Sequence, residues 1–338
     1  MKIKVKDIAQ KLNISSATVS LAIHNKPGVG EETRKRILAA ARQMGYARSI
    51  KKSAASNTGY TIQFVIFKQP ATSGLDTSFF SYMMEGVERH TGLNGGSLLI
   101  THVNTGDSMA EKIASLCAGG SRGVILLATE LTPAHIDSFL SVSLPMVVLD
   151  AYFEQLPLDC VTINNAQGAY QAVSYLANMG HSKIGYLSST VRTVNFAERQ
   201  EGFCNALSKL NLQKRTDFFF PLTPSIMGAC ADMKEALRTN PELPTAFFAD
   251  NDILAAGAMR AFKEVGLLVP EDISLVGFDD IPLCTLTEPA LTTISVPKAR
   301  LGALAVERLY HKMNHPPQEF VKIEVGTKLV ERSSVKRL

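Results

Sequence analysis

The chain has 338 residues, 46% of them hydrophobic and 20% charged, a balance that supports buried cores and excludes the polar regime of disordered chains. Its net charge of +4 is unevenly placed: residues 1–52 hold twelve Lys and Arg against Asp7, Glu31 and Glu32, a local +9, so the remainder carries −5. A basic head on a mildly acidic body points to a polyanionic partner for the head, nucleic acid before membrane, because no Trp or Phe anchors an apolar face there.

The first residues, MKIKVKDIAQKL, contain no apolar signal region, and no stretch approaches the roughly 20 apolar residues of a membrane span. No membrane partner is expected, and a cytoplasmic chain is. Cys117, Cys160, Cys204, Cys230 and Cys284 are odd in number and never form CxxC, which predicts reduced, mostly buried thiols rather than a disulfide framework or a zinc site.

In the head, apolar residues recur at helical spacing three times: Ile8 and Leu12, Val19 and Ile23, then Ile37, Ala41 and Met44. Breaks at Asn13-Ile14-Ser15 and Asn25-Lys26-Pro27-Gly28 divide them into three short helices around one small core. Ser15 or Ser16 suits the N-cap of the second helix, and Glu31 and Glu32 suit the start of the third. Two helices joined by a tight turn in a strongly basic context read as a helix-turn-helix, since a three-helix bundle without a polyanionic partner has no reason to gather this charge.

Those residues carry a specific resemblance. Val5-Lys6-Asp7-Ile8-Ala9, Ile14-Ser15-Ser16-Ala17-Thr18-Val19-Ser20, Val29-Gly30-Glu31-Glu32-Thr33-Arg34 and Met44-Gly45-Tyr46 together resemble the DNA-binding headpiece of the LacI/GalR family of bacterial transcription regulators. The resemblance implies that the helix from about Ser16 to Asn25 lies in the major groove. Ser16, Ala17 and Leu21 would then stand at base-reading positions, and Ser15, Thr18, Ser20, Asn25 and Thr33 at phosphate-touching positions. Leu21 replaces the usual Arg or His, and Ala17 stands where longer polar side chains are common.

Residues 47–60, ARSIKKSAASNTGY, read as a linker rich in Ser, Ala and Lys. In the family this stretch forms a hinge helix whose leucine wedges into the minor groove. Counted from Tyr46 without gaps, Ala55 takes the wedge position; aligned on Ala47-Arg48-Ser49-Ile50, Ile50 takes it and about five preceding residues are missing. Both registers stay open, and Arg48, Lys51 and Lys52 remain available to phosphates in either.

From residue 61 short apolar runs alternate with amphipathic stretches. Strands are predicted at 61–67, 97–101, 123–128, 145–149, 183–188, 245–249 and 273–278, and helices at 79–90, 167–179, 198–210 and 252–265 among others. Such alternation argues a doubly wound parallel α/β architecture, and a body of this length divides into two lobes. The domains are thus a headpiece over 1–46, a hinge or linker over 47–60, and a two-lobed body over 61–338, which the resemblance implies is an effector-binding and dimerisation domain.

Polar residues follow several strands, where such folds place ligands: Asp150, Asp250-Asn251-Asp252 and Asp279-Asp280, with Arg199 opening a helix. Carboxylate, amide and guanidinium groups converging on a cleft suit a sugar. The competing role is helix capping, favoured for Asp252 and evenly balanced for Asp280.

The resemblance runs through the body too, in Leu176-Ala177-Asn178-Met179-Gly180-His181, Arg199-Gln200-Glu201-Gly202-Phe203 and the stretch Asp272 to Asp280. It implies a core similar to periplasmic sugar-binding proteins, with Arg199, Asn251 and Asp279 as effector contacts, joined by Asp150, Asn195 and Phe79. It also implies a homodimer on a palindromic operator, since no heptad tail follows Arg332. No cofactor or catalytic motif is present, and His311 and His315 before Pro316-Pro317 read as a helix end rather than a metal site.

The expected function is an operator-binding regulator, a repressor, controlled by a small-molecule effector that is a sugar. The alternatives are a corepressor-type regulator responding to a purine or other metabolite, a sugar-binding protein without a DNA role, and an α/β enzyme. Because Ala17 and Leu21 cannot form bidentate contacts to guanine or adenine, the operator half-site should carry A·T pairs opposite them, read through thymine methyl groups. Selection from a random duplex pool checks this, and recovery of G·C at those steps contradicts it.

Overall fold

The computed structural model describes residues 5–23, 28–44, 59–69, 77–239, 242–315 and 319–338. They fall into two compact units, a helical one and an α/β one.

The helical unit holds α1 (Val5–Leu12), α2 (Ser16–Ile23) and α3 (Glu31–Gln43). Ile8, Ala9, Val19, Ala22, Ile37 and Ala41 form its core, with Leu12 and Met44 packed against it, so the helical spacing of apolar residues is what closes the unit. Ser15 is the N-cap of α2: its Oγ accepts the Thr18 backbone N–H at 3.0 Å. Residues 45–58, and with them most of the linker, lie outside the described residues.

The α/β unit contains two six-stranded sheets. The first has the order β11-β5-β4-β3-β1-β2, from β1 (Tyr60–Lys68), β2 (Gly96–Asn104), β3 (Gly123–Leu127), β4 (Met146–Leu149), β5 (Asp159–Ile163) and β11 (Lys322–Val325). The second has the order β12-β10-β9-β8-β6-β7, from β6 (Ile184–Ser189), β7 (Phe219–Leu222), β8 (Ala246–Ala249), β9 (Ser274–Asp279), β10 (Thr292–Ser295) and β12 (Lys328–Val330). Pairing is parallel through the centre of both sheets, and β12 is an antiparallel edge on β10. Leu126 stands opposite Val65 on one side and Val148 on the other, and every residue of β3 is buried, as strands covered on both faces require.

Eight helices flank the sheets: α4 (Thr77–Leu93), α5 (Met109–Ala118), α6 (Pro133–Phe139), α7 (Asn165–Asn178), α8 (Val194–Lys209), α9 (Ile226–Thr239), α10 (Asp252–Glu264) and α11 (Lys298–Asn314). The chain passes between the sheets three times, from β5 to α7, from β10 to α11 and from β11 to β12. Each sheet therefore contains strands from distant parts of the sequence. Helices α4 and α11 touch backbone to backbone: a Cβ on Gly86 would lie 2.1 Å from the Ala299 oxygen, and one on Gly302 would lie 2.2 Å from the Met83 oxygen.

Helix α11 is held to the first sheet by a buried ion cluster. Asp159, fully buried on β5, accepts Arg308 Nε at 2.7 Å and Lys312 Nζ at 2.6 Å, together with the Val321 backbone N–H at 3.1 Å. Arg308 and Lys312 are four residues apart, on one face of the helix. Removing the single anion would leave two cations facing each other in a dry interface. Asp159→Ala should therefore lower the unfolding free energy of the α/β unit by about 3–5 kcal/mol, measured by urea denaturation.

Candidate functional site

Ligand groups in open α/β sheets gather beyond the C-terminal ends of parallel strands. In this chain Asp150 follows β4, Asp250 and Asn251 follow β8, and Asp279 ends β9. Asp150 and Asp279 both hold left-handed backbone, with φ of 67° and 108°. Such conformations cost an aspartate of order 1–3 kcal/mol and persist only where the surroundings fix them.

Arg199 lies at the centre. Helix α8 begins at Val194, capped by Thr193, whose Oγ1 accepts the Phe196 N–H at 3.2 Å. Arg199 thus sits in the second turn and does not open the helix. Its side chain is 2% exposed. Nε donates to Asn165 Oδ1 at 2.9 Å, Nη1 to the Asp250 carbonyl at 2.6 Å, and Nη2 faces Asp279 Oδ1 at 3.2 Å. The guanidinium carbon lies 3.7 Å from the centre of the Phe278 ring, a cation–π contact in a dry setting.

Asn165, the first residue of α7, relays this arrangement. Its amide donates to Asn195 Oδ1 at 3.1 Å and to Glu198 Oε2 at 2.7 Å, and Asn195 in turn donates to the Asp150 carbonyl at 2.9 Å. A continuous polar chain runs from Asp150 through Asn195, Asn165 and Arg199 to Asp279. Asp150 is fully buried; its Oδ2 accepts the Thr129 hydroxyl at 2.5 Å, and its Oδ1 meets no donor among the described residues. Burial pushes the Asp150 carboxyl up to about 7, aided by the Asp279 charge and opposed by Thr129 and Arg199.

The structure brings Arg199, Asn251, Asp279, Asp150, Asn195 and Phe79 together around one cavity of about 30 Å³, with Phe80, Thr129, Thr193 and Phe196 completing its wall. Asn251 also caps α10, its Oδ1 accepting the Leu254 N–H at 3.0 Å, which leaves its amide N–H groups as donors. The cap role that sequence favours for Asp252 therefore belongs to Asn251. Asp252 instead accepts the Thr293 hydroxyl at 2.5 Å and the Ile281 N–H at 3.0 Å, tying α10 to the ends of β9 and β10, and burial raises its carboxyl to about 7. Asp280 takes neither expected role: Arg332 holds its Oδ1 at 2.6 Å, beside a different groove lined by Tyr82, Pro282 and Arg300.

Thr129, Thr193, Phe80, Asn165 and Lys298 escape the sequence reading. Lys298 is buried, and its Nζ donates to the carbonyls of Asp279, Asp280 (3.1 Å) and Val296 (3.3 Å), holding the left-handed turn that carries Asp279. The only signal for Asn165 is the Asn164-Asn165 pair after an apolar run, in a strand that sequence did not pick out.

In the helical unit, Ser15, Ser16 and Ala17 are exposed at the start of α2, while Thr18, Ser20, Leu21 and Thr33 are half-buried. Ser15 Oγ and Thr18 Oγ1 lie 2.8 Å apart, so these two hydroxyls form one polar spot at the helix N-terminus. Asn25 lies outside the described residues.

Residues 4–49 match the model of bacterial regulatory proteins of the lacI family, and residues 173–335 match that of the periplasmic binding protein-like domain. The HTH-type transcriptional repressor PurR of Mannheimia succiniciproducens is 32% identical over 339 residues, covering 99% of each chain. The ribose operon repressor of Haemophilus influenzae is 30% identical over 342 residues, covering 98% of each. A LacI family regulator from Enterococcus faecium with bound ribose superposes with a TM-score of 0.69 at 26% identity, covering 82% of this chain and 99% of that one. With a headpiece match at its basic end and relatives of this identity along its whole length, the chain belongs to the lacI family of bacterial regulatory proteins.

Proposed function

We propose that this regulator is a cytoplasmic homodimeric repressor: its 1–46 headpieces bind a palindromic operator, and its 61–338 body takes a sugar at the Arg199 cavity, which widens from its present volume of about 30 Å³ to admit it and thereby alters operator affinity. The observation that carries the sugar is the make-up of the cavity wall. Two carboxylates, two side-chain amides, two threonine hydroxyls and three phenylalanine rings surround one guanidinium. Adjacent hydroxyls satisfy carboxylate, amide and guanidinium groups in pairs, and an aromatic ring covers the apolar face of a pyranose or furanose. Arg199 is the one cation on that wall among the described residues, and Asp279 and Asn165 already engage it. An uncharged polyol fits this electrostatic setting better than a phosphorylated or carboxylated ligand. The name of the ribose operon repressor and the ribose-bound relative support the same class. A purine is the second reading, favoured by the stacking faces of Phe79, Phe80 and Phe196. In either case the body binds and releases its ligand unchanged, as a regulator rather than an enzyme.

A thermal-shift screen of the full chain against D-ribose, cellobiose, D-ribose 5-phosphate and hypoxanthine tests this. A ligand at 100 times its Kd stabilises the native state by about 2.7 kcal/mol. A neutral sugar should raise Tm. A shift with hypoxanthine alone would replace the sugar by the purine, and one with the phosphate alone would overturn the uncharged class. Arg199→Ala is a poor probe, because it strips three partners from a buried charge network. Asp279→Asn keeps the shape and should weaken the sugar response about tenfold or more while leaving operator affinity in the absence of sugar unchanged.

Asp150 adds a pH signature. An unfolded aspartate titrates near 3.9, whereas the folded carboxyl is raised to about 7, so the native state holds this proton more tightly. The stability it confers is complete below about pH 4 and is lost as pH rises towards 7. Asp150→Asn, which mimics the protonated acid, should raise Tm at pH 8, have little effect near pH 4, and reduce the sugar response. Equal changes at both pH values would contradict this.

A further inference from the structure

The helical unit contains a contact that neither base reading nor phosphate binding uses. Arg34, on α3, reaches the far end of α2, where its Nη1 donates to the carbonyls of Leu21 at 3.4 Å and Ala22 at 3.2 Å. Both carbonyls belong to the C-terminal half of α2, Ser16–Ile23, towards the negative end of the helix dipole. An eight-residue helix is marginal alone, so its direction is set by what holds its two ends. Ser15 fixes the first turn from within the chain, whereas Arg34 fixes the last turn from another helix. Among the described side chains of α2, Val19 and Ala22 are the ones fully in the core, and the contacts at the two ends of the helix add to that packing in setting its direction.

We infer that Arg34 is a positioning residue for operator recognition. It clamps the C-terminal end of α2 to α3 and so sets the angle at which Ser16, Ala17 and Leu21 meet the bases. It does this instead of neutralising a phosphate, although it is one of the twelve cations of the head. The inference rests on the reading that α2 enters the major groove. Both bonds leave the single nitrogen Nη1, which stands one bond further from Cα than a lysine Nζ, so a lysine ammonium at this position falls short of the two carbonyls.

The test uses the full chain, a duplex enriched by the wild-type protein from a random pool, and a random-sequence duplex of equal length. Arg34→Met and Arg34→Lys should each lose about tenfold or more in affinity for the enriched duplex and stay within about threefold on the random one. The slope of log K against log salt should be unchanged, because a phosphate contact contributes about one unit of slope and a positioning contact none. Full affinity in Arg34→Lys would overturn the inference. So would a slope reduced by about two in Arg34→Met, one for each subunit of the proposed dimer, with parallel loss on both duplexes. Amide exchange across α1 and α3 should match wild type in both variants; loss of protection in both helices would make Arg34 a general stabiliser and overturn the inference too. Ala17→Asp tests the reading beneath it. If that variant binds the enriched duplex normally, α2 does not read the groove and the inference falls with it; if it fails to bind while the Arg34 variants bind normally, the Arg34 assignment alone falls.

Discussion

Burying a guanidinium is what the α/β unit is organised around. Taking the Arg199 charge out of water costs several kcal/mol, and the structure offsets this by bringing three other segments to α8: the start of α7, the end of β8, and β9, which supplies both Phe278 and Asp279. Asn165 arrives from the passage between β5 and α7, the Asp250 carbonyl from the end of β8, Asp279 from the end of β9, and Phe278 from the same strand. None of these partners is near Arg199 in sequence. Correct closure of both sheets is therefore a precondition for a tolerable Arg199, and a correctly placed Arg199 in turn fixes the strand ends that line the cavity.

The same cavity is left incompletely satisfied. Asp150 keeps one carboxylate oxygen without a donor, and Asp150 and Asp279 hold left-handed backbone. The sugar proposed above would donate a hydroxyl to that oxygen, and part of its affinity would come from that bond. A site complete in itself would have little to gain from binding and so little leverage over the rest of the molecule.

How much of this the sequence revealed depends on how local each signal is. The helical spacing of Ile8, Val19, Ile37 and Ala41 is the core of the helical unit, and β1, β3, β4, β6, β8 and β9 stand out as short apolar runs, whereas the internal strands β5 and β10 are interrupted by Asp159, Thr162, Thr292 and Thr293 and do not. Of the edge strands β2 is legible at 97–101, but β11 alternates exposed Lys322 and Glu324 with half-buried neighbours and β12 has only three residues, and neither of these is. Side chains at the ends of recognisable strands and in motif-bearing stretches were readable, and the six candidate residues share a cavity. Asn165 and Lys298 were not, because their importance lies in whom they touch across the chain. For Asp252 the residue type misled: an aspartate beginning a helix looks like a cap, but Asn251 one position earlier takes that place, and Asp252 is used for tertiary contact.

The three passages between the sheets bear on how the chain is made. The first sheet starts with β1 yet needs β11, which lies more than 250 residues later, and its helix α11 comes after the whole of β6 to β10. During synthesis the lobe that emerges first thus waits with the β5 edge uncovered and Asp159 without its two cations until α11 and β11 have been made. The second lobe, by contrast, has five of its six strands by residue 295. A nascent chain stalled before residue 298 would therefore display the open β5 edge of the first sheet to the folding machinery of the cell.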